Sequence, residues 1–128
     1  MAKRRAVIRS LDGRIWELTA PFRVESDVAG RLEVPAGRRT DFNSQPQILW
    51  NLIPPEDYGE AAVLHDDIYA TGRIRGASLP RLIADQVHRE FLIYRHAPAW
   101  KVHAMFWGIR TAGWRVWNRY RAAERMRL

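Results

Sequence analysis

The sequence predicts an α+β fold: an N-terminal antiparallel β-hairpin sheet followed by three to four helices, two of them carrying a His/Asp site. Three observations predict it. Apolar and polar residues alternate around turn signals over about residues 5–40. From there the spacing changes to a helical one, and no repeat or low-complexity linker interrupts the 128 residues. A chain of this length suits one core, so a single domain over 1–128 is expected, β-rich to about residue 40 and helical over 44–124.

The elements follow in order. "AVIRSLDGRIWEL" sets apolar residues on both sides of Asp12-Gly13, a strong hairpin cue. "FRVESDVAGRLEVPAG" repeats the pattern, with Ala29-Gly30 as the turn and Val28, Leu32 and Val34 at alternating positions. "SQPQILWNLI" reads as a short helix with Ser44 as N-cap and Pro54-Pro55 as its stop. "EDYGEAAVLHDDIYATG" reads as the next, entering near Asp57 and ending at Gly72. "SLPRLIADQVHREFLIYRH" is a third, capped by Ser78, with Pro80 in its first turn and a break before Pro98. Residues 99 to about 124 read as one long helix that tolerates Gly108 and Gly113.

Composition narrows the function. Hydrophobic residues make up 47% and charged residues 27%, a globular balance. Cysteine is absent, which excludes disulfides, a thiolate nucleophile and a thiolate metal site. The net charge of +7 favours a polyanionic neighbour, nucleic acid or a phospholipid surface. "MAKRRAVIRS" leads into no apolar core, so no signal peptide is expected, and no apolar run is long enough for a transmembrane segment.

The stretch "AAVLHDDIYATG" carries the chemistry. On a helix His65 shares a face with Ala61, Ala62, Ile68 and Tyr69, while Asp66 points about 100° away. Adjacent in sequence, the two serve neighbouring spots of one cavity and do not readily pair. The acid that orients His65 must come from elsewhere. Asp85, near the apolar stripe of "RLIADQVHREFL", is the best candidate, with Tyr69 placed to donate its hydroxyl to it. Asp66 is then available to a cation. The competing reading of the same residues is a buried polar cluster that holds two helices in register.

"HDDIY" followed by "ADQVHREF" resembles the His-Asp-x-x-Tyr and later Ala-Asp pattern of the phospholipase A₂ superfamily, closest to the cysteine-free domain of parvovirus capsids. The resemblance implies that His65 activates water for attack on a lipid ester. It implies further that Asp85 orients His65, Asp66 binds calcium and Tyr69 supports them. The family's glycine-rich calcium loop is missing: "GRRTDFNSQP" has one glycine and two arginines. Calcium takes about 6–8 oxygens, so Asp41, Asn43 and Ser44 would have to complete a different site, with Thr40 beside them.

"VPAGRRTDFNSQP", "DYGEAAVLHDDIY" and "ADQVHREFL" together also resemble an uncharacterised bacteriophage and prophage domain family, over roughly residues 15–115. That resemblance implies a virion or host-cytoplasm location.

Other chemistries find little support. No His-Glu-x-x-His, Gly-x-Ser-x-Gly, phosphate-binding glycine loop or convincing carboxylate pair occurs. His88 stands three residues after Asp85 as a competitor for that carboxylate, more simply an exposed or half-buried histidine. Trp100, Trp107, Trp114 and Trp117 recur close to every seventh position among arginines. Trp107, Arg110, Trp114 and Trp117 are the candidate surface for a phage structural protein or an anionic phospholipid membrane. The expectation is thus a phage-associated, phospholipase-like hydrolase using a His/Asp pair and calcium. The alternative is a non-enzymatic virion or tail-assembly protein.

Overall fold

The computed structural model describes residues 8–10, 16–40, 55–74 and 77–126. The fold is α+β. Strands β1 (Ile8–Ser10) and β2 (Trp16–Leu18) pair antiparallel, Ile8 opposite Leu18, and β5 (Arg39–Thr40) joins the other edge of β2. Between them β3 (Phe22–Ser26) and β4 (Gly30–Val34) form a separate hairpin; its turn spans residues 27–29, one position earlier than the expected Ala29-Gly30, and Gly30, at φ 77°, already pairs with Ser26. Phe22 faces Val34 and Val24 faces Leu32, and all four are buried, so one side of this ribbon is apolar as far as Ser26 at its tip.

Four helices follow: α1 (Pro55–Thr71), α2 (Arg81–Tyr94), α3 (Ala99–Ala112) and α4 (Trp114–Met126). A two-residue strand pair, β6 (Arg73–Ile74) with β7 (Ala77–Ser78), links α1 to α2. The buried side of α2 reads Ala84, Val87, Phe91 and Leu92, with Asp85 and His88 among them. That is the i, i+3, i+4, i+7 stripe of an amphipathic helix. It packs with Leu64 and Ile68 of α1, with Val102, Met105 and Ile109 of α3, and with the ribbon in one core.

Polar contacts complete the assembly. Ser26 is nearly buried in the β3–β4 turn; its Oγ accepts the N–H groups of Val28 and Ala29 and donates to Glu90 of α2. Glu90 also accepts the Asp27 N–H at 2.6 Å, so one carboxylate fastens the hairpin tip to α2. At the far end of α1 Gly72 adopts φ 65°, the left-handed conformation that closes a helix, and its N–H returns to the Ile68 carbonyl. The Arg121 guanidinium lies over Gly72, where any Cβ would collide with it, and Nη2 donates to the carbonyls of Tyr69 and Ala70. An α4 cation thus satisfies the orphan acceptors of α1.

Several expectations are corrected. Ser78 does not cap α2; it belongs to β7, and Pro80 is the N-cap, with no side-chain cap bond. The helix before Asp57 begins at Pro55, because proline's fixed φ suits a first turn. Val28 does not point inward but is 41% exposed, since it sits in the turn and not on a strand. The single C-terminal helix is two helices meeting at Gly113. There Arg81 reaches in from α2 and donates to the carbonyls of Ile109 and Arg110. The helical path still continues, with Gly113 N–H on Ile109 and Trp117 N–H on Gly113. The Asp12-Gly13 turn and the 44–53 helix with its Ser44 cap lie outside the described residues.

Gly113 is buried with Tyr69 Oη 2.6 Å and Arg81 Nη1 3.2 Å from where a Cβ would stand. Gly113→Ala, normally favourable in a helix, should here destabilise by about 1–3 kcal/mol through overpacking. The urea midpoint measures this; a more stable variant would show that the close approach is absent.

Candidate functional site

The site is built where α1, α2 and the α3–α4 junction meet. On α1 His65 and Tyr69 stand four apart, one above the other, with ring centroids 4.1 Å apart. Facing them from the apolar stripe of α2 is Asp85. Its Oδ1 lies 2.7 Å from His65 Nε2 and accepts the Tyr69 hydroxyl at 2.7 Å. Its other oxygen, Oδ2, accepts Arg110 Nη1 of α3 at 2.6 Å and Arg81 Nη1, one turn earlier on α2, at 3.4 Å. Arg81 also donates to Tyr69 Oη at 3.2 Å. Four side chains from three helices therefore converge on one carboxylate.

This centre is sealed. His65 and Tyr69 are 0% exposed and Asp85 1%. A carboxylate can stay ionised there because two guanidinium groups balance it and its lone pairs are met. Burial alone would raise the Asp85 pKa, yet His65, Tyr69 and Arg110 together hold it below the ordinary carboxylate value. For His65 burial disfavours the charge, but Asp66 and Asp85 outweigh it and raise its pKa above 6.5. Burial, with the Asp85 charge behind it, pushes the Tyr69 hydroxyl far up, so it remains a donor.

Asp66 is half-buried, its Oδ1 3.9 Å from His65 Nδ1, the ring nitrogen that does not face Asp85. Asp67 points to the other side of α1, 3.2 Å from Arg38 Nε, and burial raises its pKa. There it lines a cleft of about 330 Å³ with Leu32, Val34, Leu64 and Ile68, away from the His65 face. Among the described residues no group of three or more His, Asp or Glu is placed to hold a metal. Asp66 is the one member of the expected calcium set that is described, and one carboxylate does not make a calcium site. Asp41, Asn43 and Ser44 lie outside the described residues, and Thr40 is placed only as the strand partner of Trp16.

The structure thus brings together His65, Asp85 and Tyr69, the three that helical spacing had aligned. Others fall elsewhere. Trp107 and Trp114 are exposed, but Trp117 is half-buried, its ring edge-on to Tyr69 at 5.3 Å and beneath Arg121. Arg110 is not a surface residue, because it turns inward to Asp85. His88 is neither exposed nor on Asp85. It is 1% exposed, edge-on to His65 at 5.2 Å, and its Nδ1 has no hydrogen-bond partner among the described residues. Burial first, then the His65 charge, drive its pKa well below 6.5.

Sequence reasoning missed Arg81 and Gly113. Arg81 stands one turn before Asp85, a spacing that pairs opposite charges on a helix and was open to reading. Nothing local marked Gly113.

A family model whose description reads "Protein of unknown function (DUF1353)" matches residues 16–109, from β2 to the last turn of α3. It takes in His65, Tyr69, Arg81 and Asp85 and stops short of α4. No curated protein and no solved structure matches the chain.

Two predictions follow from this geometry. Asp85→Asn leaves Arg110 and Arg81 facing a neutral amide, and should lower stability by about 3–5 kcal/mol in urea unfolding; a loss below about 1 kcal/mol would mean that Asp85 is not the hub. The second concerns pH. The raised His65 pKa gives stability that is full below 6.5 and fades as pH rises through its folded value. His88 works oppositely: its depressed folded pKa makes folding less favourable as pH falls below 6.5. Asp85 contributes only in stronger acid, its share being lost as pH drops below 3.8 toward the folded value. His88→Leu should therefore raise the melting temperature at pH 5 relative to pH 8, compared with the parent. An unchanged difference would show that His88 takes up no proton on unfolding.

Proposed function

The chain belongs to the DUF1353 family, and from that premise we propose that it is a non-enzymatic, phage-associated assembly or docking protein whose His/Asp/Tyr centre is structural. One observation carries the reading: Asp85 meets four donors in a centre where His65 is 0% exposed. A general base must touch both water and substrate in a plausible pose. His65 touches Asp85, Tyr69 and His88 instead, and the described cleft is lined from α1 by Leu64, Asp67 and Ile68, not by His65. A hydrogen-bonded ionic cluster of this kind holds helices in one register. What it holds in place is the α3–α4 surface, through Arg110 on α3 and the Gly113 junction. The phage association rests on the pattern carried by "VPAGRRTDFNSQP" and "HDDIY", and the partners that suit it are a phage structural protein or an anionic phospholipid surface.

A second reading, the phospholipase-like hydrolase, is favoured by the direction of the His65 ring. With Nε2 on Asp85 and Tyr69 on the same oxygen, Nδ1 is the nitrogen turned toward Asp66. A carboxylate-oriented base needs that tautomer, and Asp66 is where the resemblance puts calcium.

His65→Ala separates the two. On the structural reading it leaves Asp85 short of a buried partner and lowers stability by about 1–3 kcal/mol, while the parent releases no fatty acid from phospholipid with or without calcium. Calcium-dependent hydrolysis by the parent, abolished by His65→Ala without loss of melting temperature, would overturn it. A calcium-dependent rise in melting temperature that Asp66→Asn removes would point the same way.

A further inference from the structure

The outer side of the α3–α4 rod carries side chains that the fold leaves uncovered. Trp100, Trp107 and Trp114 are 59%, 62% and 46% exposed. Seven residues are almost two turns, so the three indoles line one side over about 21 Å. The core-facing side is the opposite one, through Val102, Met105 and Ile109. Beyond Gly113 the same side continues into α4, which buries no residue and exposes Arg115, Arg119 and Arg125.

Charge on this rod is one-sided. Residues 99–128 hold seven Lys and Arg but a single acidic residue, Glu124, which is engaged by Arg121 at 3.1 Å and Arg73 at 3.6 Å. Two cations stack on the exposed rings: Lys101 is 5.6 Å from the Trp100 centroid and Arg115 5.3 Å from that of Trp114.

We infer that this ridge docks on an anionic phospholipid bilayer. The inference rests on the reading of the chain as a docking protein and names the partner. A protein interface centres on a contiguous apolar core poor in charge. Here each indole is separated from the next by two turns, and the first and last of the three each have a cation on the ring. Tryptophan suits the boundary between headgroups and acyl chains, and arginine pairs with lipid phosphates at the same depth. No described helix is long and apolar enough to cross a membrane, so the contact is peripheral.

The test is co-sedimentation of the full chain with phosphatidylcholine vesicles, with and without phosphatidylglycerol. The parent should bind only the anionic vesicles. Replacing Trp100, Trp107 and Trp114 together by Ser should abolish binding without shifting the melting temperature. Arg115, Arg119 and Arg125 to Gln should weaken it roughly a hundredfold, at about tenfold or less per basic residue at such a surface. Undiminished binding by the Ser variant would overturn the inference, because general attraction of a +7 protein would then suffice. Failure of the parent to bind also overturns it and leaves an acidic protein as the occupant. The phospholipid-hydrolysis and His65→Ala results are independent of either outcome, so failure here is distinguishable from failure of the docking reading.

Discussion

Everything in the helical half is arranged around the Asp85 carboxylate. Placing a negative charge in an apolar stripe of α2 is strongly unfavourable unless it is paired and fully hydrogen-bonded. Each neighbour answers that constraint. His65 and Tyr69 supply donors from α1, and Arg81 and Arg110 supply charge from α2 and α3. The consequences spread outward. Arg81 must extend far enough to reach Asp85, and its remaining N–H groups fall on the last carbonyls of α3. They fall beside Gly113, the junction of α3 and α4, whose missing side chain is the space that Tyr69 and Arg81 use.

Because those contacts are directional, the centre does more than hold helices together. Apolar packing between α1 and α2 tolerates small slides, but four polar side chains meeting one carboxylate accept a single register. The His65–His88 contact shows the compromise involved. Charge on His65 is favoured by its two acids, and burial first, with that charge behind it, keeps His88 neutral.

Charge also divides the molecule into an inner and an outer part. Arg81, Arg110 and Arg121 are spent on a buried carboxylate and on helix-end carbonyls, and Glu90 on the hairpin tip. The basic excess that remains lies in the N-terminal segment and on α3–α4, with residues 41–98 acidic on balance. The family match ends at residue 109, so α4 and its arginines lie beyond the shared portion.

The sequence by itself determined the α+β class, the β3–β4 ribbon with its turn near Gly30, α1 ending at Gly72, and the grouping of His65, Tyr69 and Asp85. These are local matters: turn chemistry, and the 100° step that puts residues three and four apart on one face. Tertiary structure alone decided the rest. Periodicity says which residues share a side of a helix but not which neighbour that side meets. So Arg110 and Trp117, legible as members of an aromatic and basic stripe, turn inward to Asp85 and Tyr69, while His88 is enclosed without a partner for Nδ1 among the described residues. The close packing at Gly113 is decided the same way, by an arginine 32 positions earlier in the chain, a contact that no local pattern encodes.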